Sequence, residues 1–144
     1  MLTVVLILQL ATLGYHQVTT ACDLFPFNDA RSESPRDIVA ECLINGLLMG
    51  LPPLGFVLGQ AALMGLGLAV YALLLVMMVR IWWLPYWFGA GEAWLAVHRR
   101  QFARTIKLVP YRGPRHPQPD LNHTLLHLLT LMTFIVSAVY YFGR

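Results

Sequence analysis

Polar side chains recur at every fourth position in two parts of the sequence. One part carries Asp37, Glu41 and Asn45, and the other carries His123 and His127. A spacing of four places side chains on the same face of an α-helix. The pattern therefore predicts carboxylate, amide and imidazole groups arranged as stripes along two helices.

Three kinds of chemistry are open to these groups. His123, His127 and Glu41 offer the nitrogen and oxygen ligands that suit zinc or iron, and His16 with His127 could bind haem axially. A buried histidine–carboxylate pair can instead relay protons, and the candidate relay is His16, Glu41, Asn45 and His127. The third possibility is structural, because polar side chains also join helices by hydrogen bonds.

The elements that carry these residues are unusually apolar. The chain of 144 residues is 58% hydrophobic and 12% charged, against about 45–50% and about 25% in soluble domains. Its apolar residues form blocks of about 20 residues, enough to cross a hydrocarbon core about 30 Å thick. We predict an all-α membrane protein, a single domain of four transmembrane helices with spans at about 1–22, 35–58, 61–83 and 120–142.

The second span has a clear start and an ambiguous end. Ser34 suits the N-cap, Pro35 suits the first helical position, and Asp37 favours the positive end of the helix dipole. Further along, Pro52 and Pro53 remove two backbone donors. Residues 51–60 are therefore either the kinked end of this helix or the tip of a tight hairpin.

A basic amphipathic helix is predicted over residues 91–108, between the third and fourth spans. Its apolar side could lie in the membrane interface or dock on the protein's own surface. Its basic side is predicted to contact the headgroups of anionic lipids. The residues of that side are Arg99, Arg100, Arg104 and Lys107.

The distribution of positive charge predicts the orientation. Seven of the ten Lys and Arg residues fall between Arg80 and His116, and two more, Arg31 and Arg36, lie in the first loop. With four spans both loops face the same side, so the positive-inside rule places them in the cytoplasm and both termini outside. The Trp and Tyr residues within 80–88 mark the interface at the end of the third span.

No catalytic motif stands out, and no run resembles a nucleic-acid-binding motif. Ala61, Gly65 and Ala69 form a small-residue stripe of the kind that lets helices approach closely. We therefore predict a non-enzymatic membrane subunit or scaffold that forms a homo-oligomer or joins other membrane subunits. The alternative is a proton- or ion-translocating protein, or one that binds a transition metal or haem, built on the histidine–glutamate cluster.

Overall fold

Four long apolar helices make up most of the structure. The computed structural model describes residues 1–143. In this part of the chain four helices are long and apolar enough to cross a membrane, so the predicted all-α architecture with four such helices is confirmed. A 3₁₀ turn covers Ala30–Ser32, and a π turn over Val79–Trp83 joins two α-helices into one continuous span. The α-helices are α1 (Leu2–Ala21), α2 (Pro35–Leu58), α3 (Ala61–Met78), α4 (Leu84–Phe88), α5 (Glu92–Gln101) and α6 (Leu121–Phe142).

Helix α2 begins where its capping residues predict and continues through both prolines. The Ser34 hydroxyl accepts a hydrogen bond from the Asp37 backbone N–H at 3.2 Å. The helix then runs to Leu58 and ends at Gly59, which takes the left-handed conformation (φ 64°) that favours glycine at a helix end. Since α3 starts at Ala61, α2 and α3 form an antiparallel hairpin with a very short turn. Residues 51–58 are thus helical, and 59–60 form the turn.

The four long helices pack as a ring in which α1 contacts α2, α2 contacts α3, α3 contacts α6, and α6 contacts α1. The backbones of α2 and α3 come closest near their turn. A Cβ added at Gly67 would lie 2.8 Å from Pro52 Cα, and one at Gly55 would lie 2.8 Å from the Leu63 carbonyl carbon. We call this half of the bundle, with the 59–60 turn and both chain ends, the hairpin end.

Side chains are distributed inside out compared with a water-soluble bundle. The buried residues of α1 are Val5, Gln9, Thr12, His16 and Thr19, so four of the five are polar. Large apolar side chains such as Ile7, Leu47 and Ile135 are instead more than half exposed. Hydrogen bonds between α1 and α6 satisfy part of the buried polar face: Gln9 Nε2 donates to Ser137 Oγ at 3.1 Å, and the Thr12 and Thr133 hydroxyls are 2.7 Å apart.

Two connecting segments, 22–34 and 89–120, meet at the opposite end of the bundle, which we call the loop end. The Ile106 backbone N–H donates to the Pro26 carbonyl at 3.0 Å, and Arg104 Nη2 lies 2.5 Å from Asp29 Oδ2. These contacts hold 102–108 in an irregular path. Helix α5 therefore stops at Gln101 and is shorter than the helix predicted over 91–108.

The apolar side of α5 packs on the protein itself. Leu95 and His98 are buried, and the ring of Trp82 packs against Trp94 and Phe102 with centroids 5.8 Å and 4.8 Å away. These contacts correspond to the docking alternative for the amphipathic helix.

Candidate functional site

One cavity of about 170 Å³ lies inside the loop half of the bundle. Side chains from all four long helices line it, and we call it the inner cavity. The sequence-predicted candidates are all on its wall: His16, Glu41, Asn45, His123 and His127. The helix stripes that carry them therefore face a common space.

His16 and Glu41 are the closest pair of titratable groups in this cavity. His16 Nε2 lies 3.5 Å from Glu41 Oε1. The His16 side chain is buried, whereas the Glu41 side chain is 42% exposed. His16 Nδ1 is buried with no hydrogen-bond partner within residues 1–143. The pair therefore joins a buried imidazole to a carboxylate at the cavity rim.

His127 is held in one tautomer by a tryptophan. The indole Nε1–H of Trp83 donates to His127 Nδ1 at 3.0 Å. An indole N–H can only donate, so Nδ1 must be unprotonated and the proton of the neutral ring must be on Nε2. No hydrogen bond to Nε2 is formed by the described residues. His127 therefore presents an N–H group that the protein leaves without an acceptor.

His123 belongs to a second network, which starts at the N-cap of α6. Its Nδ1 lies 2.7 Å from Asp120 Oδ1, and its ring stacks on Trp82 with centroids 4.0 Å apart. Asp120 is almost completely buried and also accepts a hydrogen bond from the Thr105 hydroxyl at 3.0 Å. Burial favours the neutral acid, but the hydrogen bonds from His123 and Thr105 outweigh it and lower the pKa of Asp120. Asp120 is therefore a carboxylate in the folded protein.

A second, more polar cavity of about 290 Å³ lies on the loop side of the first. We call it the outer cavity. Asp29, Glu33, Asp37 and Asp120 supply carboxyl groups to its wall. Burial raises the pKa of Glu33, and the neighbouring Glu41 carboxylate raises it further. This cavity therefore concentrates acidic groups next to the inner one.

Glu41 and His123 line both cavities. Glu41 contributes to this shared wall from α2, and His123 contributes to it from α6. The two cavities are thus adjacent, with the same two titratable side chains at their junction. This shared wall is the main geometric result of the site.

The metal and haem hypotheses receive no support from this arrangement. No group of three or more His, Cys, Asp or Glu side chains within residues 1–143 is placed to hold a metal ion. Of the predicted ligands, His127 has Nδ1 engaged by Trp83 and its proton on Nε2, so neither nitrogen is free to bind a metal in this tautomer. The inner cavity is also smaller than the range of about 300–1,000 Å³ typical of pockets for drug-sized ligands.

The predicted lipid-contacting residues fall into two pairs. Arg99 and Arg100 are exposed on α5. Arg104 instead pairs with Asp29, and Lys107 Nζ donates to the Phe102 carbonyl and to Thr105 Oγ1. Burial lowers the pKa of Lys107. Two of the four basic side chains therefore help to hold the loop end together.

Sequence reasoning missed Trp82, Trp83 and Asp120 as partners of the histidines. The tryptophans belong to the cluster that marks the membrane interface in the sequence, and Asp120 is the first residue of the predicted fourth span. Asp120 caps α6, since its Oδ1 accepts from the His123 backbone N–H at 2.9 Å, but it also holds the His123 ring. The nearest available signal was the i, i+3 spacing of Asp120 and His123.

Comparison with protein-family models, with curated proteins and with solved structures finds no match to this chain. Function must therefore be argued from the site.

Proposed function

We propose that this chain is a non-enzymatic integral membrane protein that carries protons across the membrane along a route that begins in the water at its loop end. The observation that carries the proposal is the wall shared by the two cavities, where Glu41 and His123 stand between an acidic outer space and the buried His16 and His127. Imidazoles and carboxylates inside a membrane are the usual components of proton relays.

The membrane placement is supported by the inside-out distribution of side chains. Apolar residues on the outside of four helices long enough to span a bilayer suit a hydrocarbon surrounding. Buried hydrogen-bonded pairs such as Gln9–Ser137 suit helices that associate where no water is present. In water the same surface would expose leucine, isoleucine and valine along every long helix.

The proposed route starts in the outer cavity and ends at His16 and His127. A proton taken up at Glu41 has His16 Nε2 as a neighbour at 3.5 Å. The hairpin end closes the route, because Val5, Phe56 and Met64 form an almost fully buried apolar core there. The route is thus open to one side only, as expected of one state of a carrier that exposes its site alternately to the two sides.

The test is proton flux into proteoliposomes that contain a pH-sensitive dye. Under an imposed pH gradient, with potassium and valinomycin clamping the potential, the wild-type protein should acidify the lumen faster than protein-free vesicles. Glu41→Gln should abolish the difference, because an amide cannot release a proton. Glu92→Gln is the matched control, since Glu92 lies on α5 with its side chain 83% exposed and outside both cavities. Wild-type flux equal to that of empty vesicles, or equal flux from Glu41→Gln, would refute proton transport.

We further propose that the loop end faces the cytoplasm, with both termini outside. The support is the concentration of Lys and Arg in the two segments that meet there. Cys22 is exposed at this end and Gln60 is exposed in the opposite turn. In a Cys42→Ser background, an impermeant maleimide should label Cys22 only after cells are permeabilised. In a variant that also carries Cys22→Ser, Gln60→Cys should be labelled in intact cells. The reverse result would invert the topology.

A second candidate function, assembly with further membrane helices, is supported by the small-residue stripe on α3. Gly65 packs within the chain, because a Cβ there would lie 3.3 Å from the Tyr141 hydroxyl. Ala61 and Ala69 are exposed and remain available to a partner helix. If they mediate a homo-oligomer, Ala69→Leu should reduce its mass in detergent, whereas Ala11→Leu on the exposed side of α1 should not.

A further inference from the structure

The inner cavity has a polar side with unused hydrogen-bonding capacity. His127 Nε2–H has no acceptor within residues 1–143, and only Oε1 of Glu41 is paired, with His16. The Asn45 carboxamide also lines this side and makes no hydrogen bond to a described residue. One strong donor and one strong acceptor thus face the same small space. His127 is buried, and buried polar groups normally have partners, so an occupant is expected beside its Nε2–H.

The rest of the wall is apolar. It consists of methionine, leucine and isoleucine side chains together with Trp82, including Met49 from α2, Met77 and Met78 from α3, and Leu126 from α6. Methionine side chains adapt to irregular apolar ligands because they are flexible and polarisable. An occupant that satisfies both sides must therefore be amphipathic.

The more exposed residues of the cavity wall lie on α2 and around the end of α3, so the cavity opens between these two helices. Met77 and Ile81 on the α3 side of this opening are 41% and 37% exposed, whereas Glu41 also faces the outer cavity. The two helices are pressed together at Gly67 and Gly55 near their turn, so the gap lies toward the loop end. In the membrane placement proposed above, this gap faces lipid, and a ligand could enter from the bilayer.

We propose that the inner cavity binds the hydroxyl head of a long-chain lipid alcohol that enters from the bilayer between α2 and α3. The hydroxyl oxygen would accept a hydrogen bond from His127 Nε2–H, and the hydroxyl O–H would donate a hydrogen bond to a carboxylate oxygen of Glu41. At about 170 Å³ the cavity holds a small head and the first carbons of a chain, with the remaining chain in the gap. The inference rests on the proposed function for its membrane placement, but binding does not require proton flux.

The test is photocrosslinking in lipid nanodiscs with a diazirine-bearing hexadecanol as the probe. Mass spectrometry should find the label on the cavity wall at Met77, Met78 or Leu126. An excess of unlabelled hexadecan-1-ol should reduce this labelling roughly tenfold. Hexadecane, which has no hydroxyl group, should compete much less.

Two methionine-to-tryptophan variants separate the cavity from the general lipid surface. Met77→Trp places a bulky ring at the rim of the opening and should reduce labelling of Met78 and Leu126 roughly tenfold. Met132→Trp changes a 47%-exposed methionine on α6 that does not line the cavity, and it should leave that labelling unchanged. Both positions are partly exposed, so neither change has to be buried in a packed core.

Three results would overturn the inference. One is labelling spread over all lipid-facing helices without competition by hexadecan-1-ol. Another is equal competition by hexadecane, which would indicate an apolar crevice whose polar groups are satisfied by water. The third is equal labelling of the cavity wall in Met77→Trp and Met132→Trp. Proton flux in the liposome assay together with any of these results would leave the relay intact and remove only the lipid ligand.

Discussion

The two ends of the bundle use the same four helices in opposite ways. At the hairpin end, glycines let α2 and α3 touch along their backbones, and Val5, Phe56 and Met64 fill the remaining space. At the loop end, polar and large apolar side chains of the same helices surround two cavities. The short 59–60 turn holds α2 and α3 in close contact at the hairpin end. Room for functional side chains around a cavity is therefore found at the loop end.

The largest expected effect is at the close contact itself. Gly67→Ala places a methyl group 2.8 Å from Pro52 Cα, where backbone and not a flexible side chain must move. We expect the free energy of unfolding to fall by about 2–3 kcal/mol, the cost typical of overpacking. Gly50→Ala is the matched control on α2, because a Cβ there meets nothing within 4 Å. Thermal unfolding in mild detergent measures both, and an equal midpoint for the two variants would contradict close packing at the hairpin end.

A smaller effect is expected at the loop end from Trp83→Phe. The change keeps an aromatic ring but removes the indole donor to His127 Nδ1. Losing this hydrogen bond should lower the free energy of unfolding by about 1 kcal/mol. It should also free the tautomer of His127, which imidazole ¹⁵N NMR shifts would report. Trp87→Phe is the control, since Trp87 is half exposed and its ring contact with Arg112 survives the change. An unchanged tautomer in Trp83→Phe would mean that another contact orients His127.

The smallest expected effect is a dependence of stability on pH, and it comes from a histidine at the loop end. Burial lowers the pKa of His98, which contacts the Gln118 carbonyl through Nε2 at 2.9 Å. The folded state therefore binds this proton less tightly than the unfolded chain, whose histidine pKa is about 6.5. The contribution of the neutral His98 side chain to the free energy of unfolding is therefore fully present above about pH 6.5. It is lost as the pH falls below that value.

His98→Gln keeps an amide donor for the Gln118 carbonyl and removes the titration. The melting temperature of the variant should therefore fall less than that of the wild type between about pH 7 and pH 5.5, a window just around the ordinary histidine pKa. Equal slopes for the two proteins would show that burial of His98 contributes nothing to acid sensitivity.

The histidine and carboxylate stripes show how much of the candidate site can be predicted from the sequence. Four-residue spacing predicted which side chains share a helix face, and all five candidates line one cavity. The partners of the histidines were not predictable in this way. Trp83 is 44 residues from His127 along the chain, and no local pattern indicates that an indole donor will reach it. The function of the cluster remains a proposal that flux measurements must test.

For the amphipathic segment after the third span, the sequence pattern predicted the wrong end of the helix. Its basic and apolar residues alternate with helical spacing, which predicted a helix to residue 108, yet α5 ends at Gln101. Helical propensity is weak in a short segment, and contacts with the 22–34 loop decide its path instead. Ile106 and Arg104 are held by Pro26 and Asp29, which no periodicity in the segment itself could reveal.

Local features of the sequence specify the four apolar helices, the capped start of α2 and the helix faces that carry polar groups. These depend on local properties, namely hydrophobic length, helical period and capping side chains, which act over one or a few turns. Packing between the helices, by contrast, settles that α2 continues through Pro52 and Pro53 and that Glu41 lies beside His16. It also decided that Trp83 fixes one histidine while Asp120 holds the other. Those outcomes depend on where helices far apart in the chain come together, because a side chain's partner is set by packing in three dimensions.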